Sequence, residues 1–362
     1  MIFDSVNDLM EQALRDRIFP GAVLLVGRSG YPVLFKAYGL ANRFTGEAMT
    51  RRTVFDLASL TKPMATTLAV ARLVDTGAIA LDQTVGTILP ELACSDKAAI
   101  TPRQLLCHQS GLPAHRLFYM MMKSISPKMR KAAVLELLKT VPLSAPPGTA
   151  TLYSDLGFML LCRLVERVAG CPMDRFLADR VYGPMGIGDL FFIDLFSGTR
   201  SDRTFAATEL CPVRNRLLVG EVHDDNAWAV GGIDGQAGLF GTAEAVFDLL
   251  CRLAKGLRGV PDDALFSRQM LGQMLYGETQ RSFTLGFDRP AVAGSSAGCH
   301  FSADTIGHLG FTGTSFWMDL KQDVTVILLT NRVHPFRWNN RLRQFRPMIH
   351  DRIMEQIGIQ SN

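Results

Sequence analysis

Polar and apolar positions recur at helical spacing over residues 4–17, which predicts an amphipathic helix at the start of the chain. The run GAVLLVGRSGYPVLFKAYGLA then changes period. Two apolar stretches flank Arg28-Ser29-Gly30, a hairpin signal. Around Ser59 the pattern turns helical and apolar nearly all round, through Ala58, Leu60, Met64, Ala65, Leu68, Ala69 and Val70. That pattern predicts a buried helix ending at Gly77, a residue suited to the position after a helix C-terminus. A helical and loop-rich middle continues to about residue 280. Within it, SDLGFMLLCRLVERVAG predicts a second buried helix, with Ser154 or Asp155 as its N-cap. Strand patterns return in FTLGFD, TIGHLGFT, TSFWMDL and VTVILLTN, and a last helix is expected over about 339–357.

Strands at both ends with helices between predict an α/β (α+β) fold. One central antiparallel sheet would be built from both chain ends, with flanking helices and a large all-helical insertion. The sheet part is expected over about 1–58 and 281–362, and the helical part over about 59–280. No internal repeat and no linker rich in Pro, Gly or Ser divides the chain, so residues 1–362 read as one unit.

Composition narrows the classes. The 362 residues are 48% hydrophobic and 20% charged, ordinary values for a globular protein with a sizeable core. A net charge of +4 without a basic run, and without interleaved aromatics, argues against nucleic acid as a partner. MIFDSVNDLMEQALRDR lacks the organisation of a signal peptide, and no apolar run is long enough to span a membrane. A cytoplasmic location is the expectation. Seven scattered cysteines without a CxxC read as small buried hydrophobes, and no His/Cys ladder or HExxH suggests a metal. No cofactor is expected.

Three short motifs could carry chemistry. Lys62 follows Ser59 by three residues, so both share one helix face. A serine hydroxyl needs an adjacent base to become a nucleophile. A lysine one turn away could be that base, or the cation that tunes another. A serine cap followed by a surface lysine reads equally well from this pair alone. Tyr153-Ser154-Asp155 opens the second buried helix. A tyrosine near a lysine can act as a phenolate base, and a core tyrosine beside a helix cap is the plainer reading. His308-Leu309-Gly310-Phe311 lies on a late strand, where alternation puts His308 and Gly310 on one face and Gly310 would admit a substrate close to the backbone.

In this order and at these separations, Ser-x-x-Lys, Tyr-x-Asp and His-x-Gly resemble the serine β-lactamase and penicillin-binding protein superfamily. The resemblance is greatest to the class C β-lactamase branch with its carboxylesterase, D-aminopeptidase and carboxypeptidase relatives. FDLASLTKP, TPRQLLCHQSGLP, PPGTATLYSDLGFMLL, GEVHDDNAWAVGG, QAGLFGTAE and HLGFTGTSFW extend it over nearly the whole chain. The resemblance implies Ser59 as acylated nucleophile, Lys62 as its helper and Tyr153 as general base. It implies Asp155, His308, Gly310 and Phe311 at the substrate, with the oxyanion hole formed by the N–H groups of Ser59 and Phe311. It also implies small-molecule ester, amide or β-lactam substrates. Asp155 replaces the usual asparagine and should favour a charged Lys62. His308 replaces a lysine and offers a partly charged imidazole where a substrate carboxylate would want a fixed cation. An esterase-like serine hydrolase with weak β-lactamase activity is therefore expected. A D-amino-acid peptidase and a sensor that stays acylated are the alternatives.

Other segments imitate sites. Gly294-Ser295-Ser296-Ala297-Gly298 matches a nucleophile elbow but lacks the strand before and the helix after. The glycines from Gly231 to Gly241 lack the Lys-Ser/Thr of a phosphate loop, and are expected to lead into a helix capped by Thr242. His223-Asp224-Asp225-Asn226 reads as a loop at a pocket mouth. His108 and Ser110 read as a helix end and turn.

Overall fold

The computed structural model describes residues 3–198, 202–260, 265–277 and 282–359. The expected boundary between residues 280 and 281 falls outside them. Eleven strands occur among the described residues: β1 (Gly21–Arg28), β2 (Tyr31–Asn42), β3 (Glu47–Ala48), β4 (Phe55–Asp56), β5 (Leu190–Phe192), β6 (Leu210–Cys211), β7 (Arg216–Leu217), β8 (Leu239–Gly241), β9 (Thr305–Leu309), β10 (Thr314–Asp319) and β11 (Val324–Thr330).

The central sheet has the order β3-β2-β1-β11-β10-β9 and every pairing in it is antiparallel. β1 and β11 lie side by side in the middle, Leu24 opposite Leu328 and Val26 opposite Val326, so the two chain ends are joined there. The expected hairpin forms at Ser29 and Gly30, both with positive φ.

Strand alternation sorts the core into two layers. Ala22, Leu24 and Val26 face the terminal helices Asp4–Arg15 and Leu342–Gln356, packing on Met10, Phe345 and Ile349. Val23 and Leu25 face the opposite way, into the large cluster built with the inner helices. That middle region is mainly helical but also carries two small sheets, β4-β8-β5 and β6-β7. Strands of two or three residues are too short to show a period in the sequence.

FTLGFD is the one expected strand that does not form. Residues 283–288 make only single bridges, Phe283 with Asp288 and Asp288 with Gly307. Gly286 at φ +76° breaks the extended path, and Thr284 N–H donates to Phe287 O across a tight turn. Leu285 and Phe287 are buried by that turn. The turn lets Asp288 cover the free edge of β9.

Candidate active site

The segment after β4 bends sharply before it becomes helix. Ala58 takes φ +49°, an expensive conformation for a residue with a Cβ. Asp56 stabilises the bend, its Oδ1 accepting the Ala58 N–H at 2.8 Å and its Oδ2 the His223 N–H at 2.6 Å. Ser59 then lies in a single 3-10 turn, Ala58–Leu60. A π-helical turn follows over Lys62–Thr66, and regular helix runs only from Thr67 to Asp75. The expected continuous helix from Ser59 is therefore three different turns in succession. The wide turn leaves its carbonyls to other partners, and Tyr182 Oη donates to Met64 O at 2.8 Å.

Lys62 is fully buried. Its Nζ donates to Ser59 Oγ at 3.1 Å and to Gln236 O at 3.1 Å, and lies 2.7 Å from Asp155 Oδ1. It also hydrogen-bonds the Tyr153 phenol and sits 4.8 Å from the centre of that ring. Four acceptors thus share three ammonium protons. Burial opposes the charge, but Asp155 and Tyr153 outweigh it, so Lys62 is held above the ordinary lysine value. Burial likewise opposes ionisation of Asp155, but Lys62 dominates and the carboxyl is held well below the ordinary range.

The geometry sets Asp155 against Lys62, and that contact favours the ammonium form over the free base. Tyr153 keeps its proton at rest, because burial raises its pKa more than Lys62 lowers it. Its phenol also hydrogen-bonds Ser59. Ser154 caps the Asp155–Ala169 helix by accepting the Gly157 N–H, which leaves the Asp155 side chain free for Lys62.

His308 departs from expectation. It is buried rather than facing a substrate, and it is not among the residues lining the cavity beside Ser59. Its Nδ1 donates to Leu309 O at 2.9 Å, and its Nε2 is 3.7 Å from Asp288 Oδ1. Burial, with repulsion from Lys62, pulls its pKa down to about 3, so the imidazole is neutral at physiological pH rather than partly charged. Gly310 is also reassigned. A Cβ there would lie 2.0 Å from Thr314 Oγ1 and 2.7 Å from Leu57 O. The glycine admits the protein's own backbone, not a substrate.

His108, expected as a mere helix end, packs its ring 4.5 Å from Tyr153 and accepts the Ser154 N–H at Nδ1. Burial holds it well below the ordinary histidine value, so it is a neutral wall.

Ser59, Tyr153, Asp155 and Phe311 line one cavity of about 390 Å³. No hydrogen bond from the Ser59 or Phe311 N–H is present among the described residues, so both donors remain open. For Ser59 this follows from its place in the first turn of a helix. Arg332 donates from Nε to Phe311 O at 3.0 Å and holds that peptide in place. The expected mouth loop does line this cavity through His223, Asp224, Asp225 and Asn226. Thr242 caps its helix as expected. Ser296 stands in an irregular segment with neither strand nor helix beside it, and its carbonyl accepts from His350.

Among the lining residues that escaped the sequence reading are two basic ones, His115 and Arg337. His115 Nδ1 lies 3.3 Å from Asp155 Oδ2, and this contact raises its pKa. Arg337 reaches the cavity from the loop after β11, held by Glu209 at 2.8 Å and 3.7 Å from Asp225. Neither belongs to a local motif. No helix among the described residues is long and apolar enough to cross a membrane.

Comparison with known proteins agrees with this architecture. The profile of the Beta-lactamase family matches residues 6–345. An N-acetylmuramyl-L-alanine amidase of Bacillus subtilis (strain 168) is 33% identical over 346 residues, spanning 87% of this chain and 78% of its own. A protein of Escherichia coli (strain K12) named "Putative D-alanyl-D-alanine carboxypeptidase" is 30% identical over 347 residues, spanning 87% and 79%. Among solved structures, EstCE1, a hydrolase with promiscuous acyltransferase activity, shares the fold at a TM-score of 0.73 and 23% identity, over 96% of this chain and 98% of its own. A penicillin-binding protein homologue from Pyrococcus abyssi does so at 0.72 and 19%, over 91% and 74%.

Proposed function

The chain belongs to the beta-lactamase family, and from that premise we propose that it is a serine hydrolase that cleaves small esters or amides through an acyl-enzyme on Ser59. The observation that carries this reading is the locked Lys62 ammonium, bonded at once to Ser59 Oγ, Asp155 and Tyr153. A lysine so held cannot take a proton. Its charge instead favours the phenolate of Tyr153, which is the remaining base in contact with Ser59.

The reactive fraction of the enzyme has first lost the Tyr153 proton to solvent. In the first half-reaction that phenolate accepts the Ser59 proton as Oγ attacks the substrate carbonyl. The open N–H groups of Ser59 and Phe311 meet the developing oxyanion. The tetrahedral intermediate collapses, the Tyr153 proton passes to the leaving alcohol or amine, and the acyl group stays on Ser59. In the second half-reaction water gives a proton to Tyr153 and attacks the acyl carbon. Ser59 leaves as alkoxide and recovers that proton, and the acid is released. Every step uses the chain's own groups.

Neutral short-chain esters are the first substrate class, because neutral His308 offers no charge to a substrate carboxylate. A second reading is a peptidase or amidase acting on carboxylate-bearing cell-wall peptides. The names of the amidase and carboxypeptidase relatives favour it, as does Arg337, a permanent cation on the cavity wall. Its charge is already engaged by Glu209, which keeps this reading second.

A fluorophosphonate probe followed by peptide mapping tests the nucleophile. Label on Ser59 is expected, and label on Ser296, or on no serine, overturns the proposal. Rates on p-nitrophenyl acetate and butyrate, nitrocefin and D-alanyl peptides then rank the substrate classes. Acylation of Ser59 that never turns over would instead mark a sensor.

A further inference from the structure

Away from the Ser59 cavity, the irregular segment before β9 lies against the C-terminal helix Leu342–Gln356. One donor atom each from Cys299, His300 and Asp351 lie within 4.8 Å of one another. Glu355, one helical turn beyond Asp351, brings Oε1 to 3.7 Å from His300 Nε2.

The arrangement is held from several sides. Asp351 Oδ1 accepts the Cys299 N–H at 2.7 Å, so the carboxylate is oriented by the same segment that carries the thiol. Gly298 makes this approach possible. It has φ +84°, and a Cβ there would stand 2.1 Å from Asp351 Oδ1. Gln322 Nε2 donates to His300 O at 3.1 Å and holds the segment from its other side. His350 Nδ1 donates to Ser296 O at 2.8 Å and ties the segment to the helix once more. Arg352, 3.6 Å from Glu355 Oε2, is the neighbouring cation.

We propose that Cys299, His300 and Asp351 bind one divalent transition-metal ion, Zn2+ by donor type, with Glu355 closing the set. A thiolate, an imidazole and carboxylates are the donors that a borderline-soft, tetrahedral ion selects. Bonds of about 2.0–2.3 Å put tetrahedral ligands roughly 3.3–3.8 Å apart. The observed spacing, up to 4.8 Å, is wider than this, so binding would require the exposed Cys299 thiol and the Glu355 side chain to turn inward. Binding exchanges the thiol proton for the metal, so one proton is released and nothing is oxidised or reduced. The ion would clamp the segment that follows Asp288 onto the helix. Its role is structural, separate from the metal-free chemistry proposed at Ser59.

The test uses the full chain, stripped with a chelator and titrated with Co2+ alone and then with Zn2+. One equivalent of Co2+ is expected, with a thiolate-to-metal charge-transfer band that Zn2+ abolishes by displacement. Cys299→Ser should remove the band. His300→Ala and Asp351→Asn should each weaken affinity at least tenfold. Cys94→Ser, at the other exposed cysteine, should change nothing. Zn2+ should slow maleimide labelling of Cys299 but not of Cys94. Far-UV circular dichroism checks that each variant is folded. Absence of the band, a band that survives Cys299→Ser, or affinity unchanged in both His300→Ala and Asp351→Asn would overturn the proposal.

Discussion

The Asp155–Ala169 helix carries two buried clusters of cation and carboxylate. At its first residue, Asp155 meets Lys62 at 2.7 Å. Two turns on, Arg163 meets Asp234 at 3.2 Å and Glu166 at 3.3 Å. Both cations are buried, and both are held above their ordinary pKa by partners that overcome burial. The resemblance ends there. Around Lys62 stand two hydroxyl groups, Ser59 and Tyr153, and both line an open cavity. Around Arg163 the other hydrogen-bond partner is Cys162 Sγ at 3.0 Å, and Arg163 Nε has no hydrogen bond among the described residues. A buried ion pair by itself is thus no sign of chemistry. What distinguishes the first cluster is a reactive hydroxyl bonded to the cation and a cavity in which a substrate can meet it.

Four substitutions press on this contrast. Ser59→Ala should lower kcat on an uncharged ester by roughly a thousandfold or more, the scale for losing a nucleophile, with the melting temperature unchanged. Activity within tenfold of the parent would remove Ser59 from the proposal. Tyr153→Phe should lower kcat by about a hundredfold, the scale of a lost general base, while fluorophosphonate labelling of Ser59 becomes slow rather than absent. Asp155→Asn keeps an acceptor for Lys62 but removes the charge. Because that charge raises the Tyr153 pKa, its loss should increase the phenolate fraction, and a gain of about tenfold or less at neutral pH is expected, corresponding to a pKa change near one unit. The same variant should bring the His115 pKa down towards its ordinary value, read by imidazole NMR, since Asp155 raises it. Arg163→Met completes the comparison from the other side. It should cost about 3–5 kcal/mol of unfolding free energy by stranding Asp234, and leave kcat of the folded protein unchanged. Equal loss of rate at Arg163 and at Tyr153 would mean that the two clusters do not differ in kind.

The sequence made the frame legible where periods were long. The hairpin at Ser29-Gly30, the Asp155–Ala169 helix capped by Ser154, and the late strands β9 to β11 all appear as read. Three kinds of feature were hidden. FTLGFD alternates like a strand, yet Gly286 at φ +76° against Thr67 turns it back, and a glycine's φ is not written in the pattern around it. His308 sits on an edge strand, where a histidine reads as half-exposed. Asp288 covers that edge and Tyr153 packs in front, so the imidazole is buried and neutral. His115 and Arg337 were hidden for a simpler reason. Each reaches the cavity by tertiary packing, 40 residues from Asp155 and 128 from Glu209 in sequence, with no motif around it. Asp155 is the contrasting case. One residue's departure from the family pattern pointed to a charged Lys62, and the ion pair is there.

The central claim is that Lys62 remains a cation and Tyr153 is the base, and the pH profile of kcat/KM tests it most directly. The substrate should be p-nitrophenyl butyrate, which does not titrate, with the rate of Ser59→Ala subtracted at each pH. Tyr153 is protonated at rest with its pKa above the ordinary value of about 10. Raising the pH increases the phenolate fraction, so kcat/KM should climb through the neutral range and show no plateau below about pH 10. Tyr153→Phe should lose that slope. A plateau reached near pH 7, with the same shape in Tyr153→Phe, would contradict the account and move the base to another group.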